Sequence, residues 1–272
     1  MIRRLSDILL LSDLDGTLFD EPYGSDCLVS EHNRAAVARF IAEGGHFAIA
    51  SGRAHPIALG LTGDLKINFP SIFVNGGYIY DVERDEVSCR SFIDKVERAR
   101  VAELLGQFGP VDAAVFYSDL GQFPLFKDGD PDILAYETHG DQSRASEADG
   151  VYKYMIFTRP ERQRELYDFL RERFSGLADV TISADTLTEL LPIGVSKAYG
   201  VRRLLETTGW DRENVVAVGD YYNDLEMLEA AEIAVAMGNA PDEVKTKCDI
   251  CVKSCREHGV ADLIERLEAM YL

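Results

Sequence analysis

The sequence predicts an α/β protein: a parallel sheet with helices on both faces, interrupted by a mixed insertion. Three observations lead to this reading. Short apolar runs alternate with helix-periodic stretches at both ends of the chain. Three of those runs lead straight into polar residues. Between these ends the texture changes: a hairpin-like segment at 71–81 is followed by mixed strands and helices to about residue 187. The 272 residues suit one large domain or two, and favour two.

Residues 8–11 (Ile-Leu-Leu-Leu) read as a buried strand and 47–50 (Phe-Ala-Ile-Ala) as a second. Between them lies a helix that Ser30 can cap, Val37, Phe40 and Ile41 can pin to the sheet, and Gly44-Gly45 can stop. Residues 71–81 suggest a hairpin around Asn75-Gly76-Gly77. In the insertion, strands are expected at 113–117 and 152–157, and helices near 94–108 and 160–174. The sheet grammar then returns. Val201, Leu204 and Leu205 make a helical stripe that Gly209 ends, residues 215–218 and 233–236 read as strands, and a closing helix spans 258–272 with Val260, Leu263, Ile264 and Leu267 on one face.

The 28 Lys and Arg against 47 Asp and Glu leave a formal charge of −19. That balance repels nucleic acid and anionic membrane surfaces, so no nucleic acid and no membrane are expected as partners. An anionic substrate would need locally placed positive charge. The N-terminal apolar run is too short for a secretory signal or a membrane span. Five cysteines, an odd and sparse set, fit a reducing cytoplasm.

The polar ends of the strands are Ser12-Asp13-Leu14-Asp15, Ser51-Gly52-Arg53 and Gly219-Asp220. Ligands of open α/β sheets bind at the carboxyl ends of strands, so these residues are candidates for one site. Asp13 and Asp15, two apart, project to the same side while the chain stays extended, and a divalent cation would offset their repulsion. Carboxylate oxygens suit Mg²⁺, with Asp220 as a third contributor. The Asp13 carboxylate could then attack phosphorus. Lys197, at the start of the helix after Gly194-Val195-Ser196, is the cation expected on phosphate oxygens, with Ser51 and the amides beside Gly52 adding hydrogen bonds.

Four ordered motifs, Asp13-Leu14-Asp15-Gly16-Thr17-Leu18, Ser51-Gly52-Arg53, Lys197 and Gly219-Asp220-Tyr221-Tyr222-Asn223-Asp224, resemble those of the haloacid dehalogenase superfamily. Asn75-Gly76-Gly77, Gly194-Val195-Ser196-Lys197 and Met237-Gly238-Asn239-Ala240 with Val244-Lys245 resemble its Cof-type branch. The resemblance covers roughly residues 7–81 and 188–265. It implies a Rossmann-like doubly wound core, residues 1–82 and 188–272, with an α+β cap domain at 83–187 that closes over it. It further implies that Asp13 is nucleophile and metal ligand, and that Asp15 is general acid and base. The Asp15 backbone carbonyl and Asp220 would complete the protein's share of Mg²⁺ ligation, while Asn223 and Asp224 support the metal and phosphoryl group. One departure is Cys255-Arg256-Glu257-His258-Gly259, where the family often has an Asn and an acidic residue before the Gly.

Several residues invite plainer readings. Arg53 fits a surface residue or a helix-start salt bridge as well as a ligand. Cys248, Cys251 and Cys255 lack an evident fourth ligand, and Cys251 falls in a core-like strand, so they read as small apolar residues. His46 and His55 read as strand-edge and helix-start residues. The aromatic residues of the insertion, among them Tyr117, Phe123, Phe126, Tyr136, Tyr152 and Tyr154, read mostly as its core.

The expectation is a cytoplasmic Mg²⁺-dependent phosphatase for a small phosphorylated metabolite, with a sugar phosphate favoured, acting as a monomer or small homo-oligomer. A phosphomutase on the same scaffold and a catalytically silent binding protein are the alternatives. The size of the insertion argues against the first, and the joint presence of Asp13, Asp15, Lys197 and Asp220 against the second.

Overall fold

The computed structural model describes residues 2–20, 28–94, 96–126 and 128–271. It divides into two compact units, Met1–Arg90 with Ser196–Leu272, and Ser91–Val195. In chain order the first unit begins with β1 (Leu9–Ser12), α1 (Glu31–Ala42), β2 (His46–Ile49), α2 (His55–Thr62), β3 (Ser71–Phe73), β4 (Tyr78–Asp81) and β5 (Glu86–Ser88). The second unit contains α3 (Arg98–Phe108), β6 (Ala113–Ser118), β7 (Gly121–Pro124), α4 (Pro131–Glu137), β8 (Val151–Phe157), α5 (Pro160–Arg173), β9 (Asp179–Ala184) and β10 (Leu187–Leu191). The first unit resumes with α6 (Lys197–Thr208), β11 (Val215–Gly219), α7 (Leu225–Ala230), β12 (Ile233–Ala236), α8 (Asp242–Lys245), β13 (Ile250–Cys251) and α9 (Gly259–Tyr271).

The first unit is built on a parallel sheet in the order β13-β12-β11-β1-β2. Its central strands are buried along their whole length, which explains why they read as continuous apolar runs. The chain moves from β1 to β2 on one side and later places β11 on the other, with Leu9 opposite Val215 and Ser12 opposite Val218. The gap between the carboxyl ends of β1 and β11 is therefore the switch point where an open sheet offers a crevice.

The expected hairpin is present: β3 and β4 pair antiparallel across a turn at Val74–Gly76. Gly76 has φ +93°, and a Cβ there would lie 2.2 Å from the Ser196 carbonyl oxygen. A glycine at this point lets the turn meet the first turn of α6 backbone to backbone. Ser196 caps α6 by accepting from the Tyr199 amide at 3.3 Å, and Ser30 caps α1 by accepting from the Asn33 amide at 3.2 Å. Asn33 is fully buried; it donates to the Leu18 carbonyl and accepts from the Ala261 amide, tying α1 to both the turn after β1 and the start of α9.

The second unit is an antiparallel sheet in the order β7-β6-β8-β10-β9. Val101, Leu104 and Leu105 of α3 and Leu166 and Leu170 of α5 join Phe116, Phe123 and Tyr154 in one cluster, and α4 packs its Ile133 and Leu134 with Val115, Met155 and Phe157 in another. Tyr117 and Tyr152 are buried too, while Phe126 and Tyr136 are half-buried. Helix α3 starts at Arg98 rather than near 94, because the Ile93 amide is taken by the Val151 carbonyl at 2.8 Å; Lys95 lies outside the described residues, as does Leu272 at the end of the closing helix. Cys251 does not lie in the core. It sits on β13, the outermost strand, and is exposed, because an edge strand has sheet on one side only.

Candidate active site

Asp13 follows β1 directly, and its amide donates to the Val218 carbonyl at 3.0 Å, so the sheet ladder continues into the site. Asp220 follows β11. Lys197 opens α6, where Gly76 brings that helix close to the sheet. Its Nζ donates to Asp13 Oδ1 and to Asp224 Oδ1, both at 2.6 Å, and only 2% of the residue is exposed. The second Asp224 oxygen accepts from the amides of Asp220 at 3.0 Å and Tyr221 at 3.1 Å. Asp224 is thus a fully buried anchor that locks the turn after β11 and holds Lys197 in place.

Ligand oxygens of Asp13, Asp220 and Asp224 lie within 4.8 Å of one another. Three buried carboxylates against one ammonium leave two negative charges uncompensated, an arrangement that is costly unless a cation joins it or protons are taken up. Burial, reinforced by Asp224, pushes Asp220 up to about 7. Asp13 is raised well above its ordinary value by burial first and then by Asp224, with Lys197 pulling the other way. Burial alone would lower Lys197, but Asp13 and Asp224 hold it above its ordinary value. Hard oxygen donors with this charge deficit fit a divalent cation.

The metal contact expected of Asp15 is through its backbone carbonyl, and its side chain is engaged elsewhere. The chain leaves the extended conformation after Asp13 and turns through Leu14–Leu18, with Gly16 at φ +72°. The Asp15 carboxylate is met by Arg53, whose Nε donates to Oδ2 at 2.8 Å and Oδ1 at 3.1 Å and whose Nη2 donates to Oδ1 at 2.6 Å. Arg53 is buried, with 7% of its side chain exposed, so the surface reading is corrected. Ser51 is fully buried at the end of β2, and its Oγ accepts from the Arg53 amide at 3.0 Å. A Cβ on Gly52 would meet Asn75 Oδ1 at 3.0 Å, so the backbone there runs tight against the β3–β4 turn. Helix α2 does begin just after Arg53, at His55. Asn223 is half-buried in the turn that presents Asp224.

Two residues given no role from sequence also meet Asp220. Thr17 Oγ1 donates to Asp220 Oδ1 at 3.3 Å. Asn239 Nδ2 donates to Asp220 Oδ2 at 3.1 Å and to the Gly16 carbonyl at 2.8 Å, while its Oδ1 accepts from the Cys255 amide at 2.9 Å. The signal for Asn239 was its place in Met237-Gly238-Asn239-Ala240; only the fold reveals the partner. Among the described residues no cysteine is in a disulfide, and Cys255 is buried with its Sγ toward the Asp20 carbonyl. His46 and His55 stand at the starts of β2 and α2 as expected, both lowered by burial, and His55 Nδ1 lies 2.9 Å from the Tyr78 hydroxyl.

Among the described residues, no helix is long and apolar enough to cross a membrane. A sequence model of the haloacid dehalogenase-like hydrolases matches residues 10–264. The Bacillus subtilis protein named 5-amino-6-(5-phospho-D-ribitylamino)uracil phosphatase YwtE is 28% identical, over 94% of this chain and 96% of its own length. The Escherichia coli pyridoxal phosphate phosphatase YbhA is 27% identical, over 93% of this chain and 95% of its own. Against a third relative, the Arabidopsis thaliana chloroplastic endoribonuclease YBEY, the chain is 27% identical and spans only 46% of the other's length. The crystal structure of a haloacid dehalogenase-like hydrolase from Bacteroides thetaiotaomicron superposes with a TM-score of 0.78 at 28% identity, covering 96% of this chain and 99% of that one. With its parallel core, its additional antiparallel sheet and a family match along nearly all of its length, this chain belongs to the haloacid dehalogenase-like hydrolases, in the Cof-type branch.

Proposed function

We propose that this phosphoric monoester hydrolase is Mg²⁺-dependent, forms an aspartyl-phosphate on Asp13, and acts on a small phosphorylated metabolite, a sugar phosphate by preference. The observation that carries the reading is the convergence of Lys197 on Asp13 and Asp224, beside Asp220, at the switch point of the sheet. A phosphoryl-transfer site needs a carboxylate free to attack, others to hold a cation, and a fixed positive charge for the phosphoryl oxygens.

In this reading an Asp13 oxygen bonds to phosphorus as the ester P–O bond breaks. Asp15 gives its proton to the leaving oxygen, then takes one from the water that attacks the aspartyl-phosphate, so phosphate leaves and Asp13 is restored. Bound Mg²⁺ supplies charge neutralisation at the phosphoryl oxygens. Asp13, Asp220 and the Asp15 backbone carbonyl would hold it, with Asp224 and Asn223 in support. Lys197 acts as a point charge on the phosphoryl group, and the Ser51 hydroxyl and Gly52 amide donate to its oxygens. The unit Ser91–Val195 is read as the cap domain that selects the substrate. The two bacterial relatives are named for small phosphorylated compounds, which supports the substrate class and leaves the individual substrate open.

Release of inorganic phosphate from a panel of phosphorylated metabolites in the presence of Mg²⁺ tests the reading. Asp13→Asn should abolish release with the circular dichroism spectrum intact, and EDTA should silence the wild type. Undiminished turnover by Asp13→Asn would remove the nucleophile assignment, and undiminished turnover in EDTA the metal.

A further inference from the structure

The turn after β1 carries Asp15 away from the three clustered carboxylates and onto a guanidinium. Contact by Nε and Nη2 fixes the plane and direction of the carboxylate as well as its charge, because the donors of a guanidinium are coplanar. Arg53 is itself held. Its amide donates to Ser51 Oγ at 3.0 Å, its carbonyl accepts from the Val74 amide at 3.1 Å, and its side chain is buried. The 51–53 turn is thereby tied both to the end of β2 and to the β3–β4 turn.

The geometry points to Arg53 as the positioning residue for Asp15, setting the direction in which that carboxylate faces the leaving-group oxygen and then water. This rests on the acid–base reading of Asp15 and concerns only what orients it. A role for Arg53 as a phosphate ligand is the rival. Two features disfavour it: Nε and Nη2, the pair that would grip a phosphate side-on, are committed to Asp15, and the cation at Asp13 is Lys197. Arg53 makes and breaks no covalent bond; the proton passes between Asp15 and the ester or water oxygen.

Steady-state kinetics at saturating Mg²⁺ with two esters decide between the roles. β-Glycerol phosphate leaves as an alkoxide that needs a proton; 4-nitrophenyl phosphate leaves as a phenolate that barely does. Arg53→Gln is expected to lower kcat on β-glycerol phosphate about 10- to 100-fold with KM nearly unchanged, the scale of a misplaced catalytic group. On the nitrophenyl ester the loss in kcat/KM, which reports the steps up to departure of the leaving group, should stay within about threefold, since little general-acid help is at stake there. The kcat, which also contains the base-assisted attack of water, is expected to fall on both esters. Arg53→Lys should recover part of the alkyl-ester rate. Adding Arg53→Gln to Asp15→Asn should cost nothing further, because residues acting as one unit are not additive. Equal losses of kcat/KM on both esters, a raised KM with kcat kept, or full additivity in the double variant would overturn the proposal. Unimpaired alkyl-ester turnover by Asp15→Asn would overturn the acid–base reading and this inference with it. Mg²⁺ affinity and far-ultraviolet circular dichroism report folding; should Arg53→Gln lose either, Arg53→Lys enters the same comparisons with the same deciding outcomes.

Discussion

Lys197 shows how one side chain serves both stability and chemistry. A buried ammonium is tolerated here because two carboxylates accept from it, and those carboxylates are tolerated in part because of it. Lys197→Met should lower kcat about 10²- to 10³-fold, the usual cost of removing one donor from a developing anionic centre. In EDTA it should also destabilise the fold by about 3 kcal/mol, since removing one partner strands the others. Phosphate-release kinetics and thermal unfolding check the two effects separately. Asn239 acts one step further out, fixing Asp220 through Oδ2 and the turn through the Gly16 carbonyl. Asn239→Ala should weaken Mg²⁺ binding about 10- to 100-fold, as loss of a ligand-orienting partner does, measured by titration calorimetry. Neither contact was legible in the sequence: Asn239 and Gly16 are 223 positions apart, and no local pattern encodes that pairing.

At the scale of elements, the glycine of the first motif is where turn and site meet. Gly16 has φ +72°, and a Cβ on it would fall 2.4 Å from Asp220 Oδ2. Gly16→Ala should therefore cost more than the 1–2 kcal/mol or so of a left-handed alanine and should also displace Asp220, so that unfolding temperature and Mg²⁺ affinity fall together. Ser196→Ala is the contrasting case. It removes the N-cap of α6 and should cost about 1 kcal/mol, visible in chemical denaturation. The cap at Ser30 and the start of α6 at Lys197 could be read from sequence because helix-start signals are local. The late start of α3 could not, since it depends on a bond from Ile93 to Val151 across the second unit's sheet.

For the whole molecule, the buried carboxylates couple folding to protons and metal. Asp220 is raised from 3.8 to about 7, so the folded, metal-free protein keeps a proton that the unfolded chain loses across that window. Folded protein binds more protons than unfolded, so this site's contribution to stability falls as pH rises from about 4 to about 7. Mg²⁺ needs the deprotonated ligands, and its stabilisation should grow in the same direction. Unfolding temperatures at pH 5 and 8, in EDTA and in Mg²⁺, should diverge with pH, and Asp220→Asn should flatten the EDTA curve. The sequence by itself determined the class of fold, the sheet's strands, the Ser30 cap and the motif residues that end up near one another, because side-chain periodicity and strand-end chemistry are local properties. Only the tertiary structure decided that Asp13, Asp220 and Asp224 form the buried triad while Asp15 turns to Arg53, that Asn239 and Thr17 brace Asp220, and that Cys251 faces outward on an edge. These are matters of distance through space, and charges sort themselves by the partners that folding brings within reach.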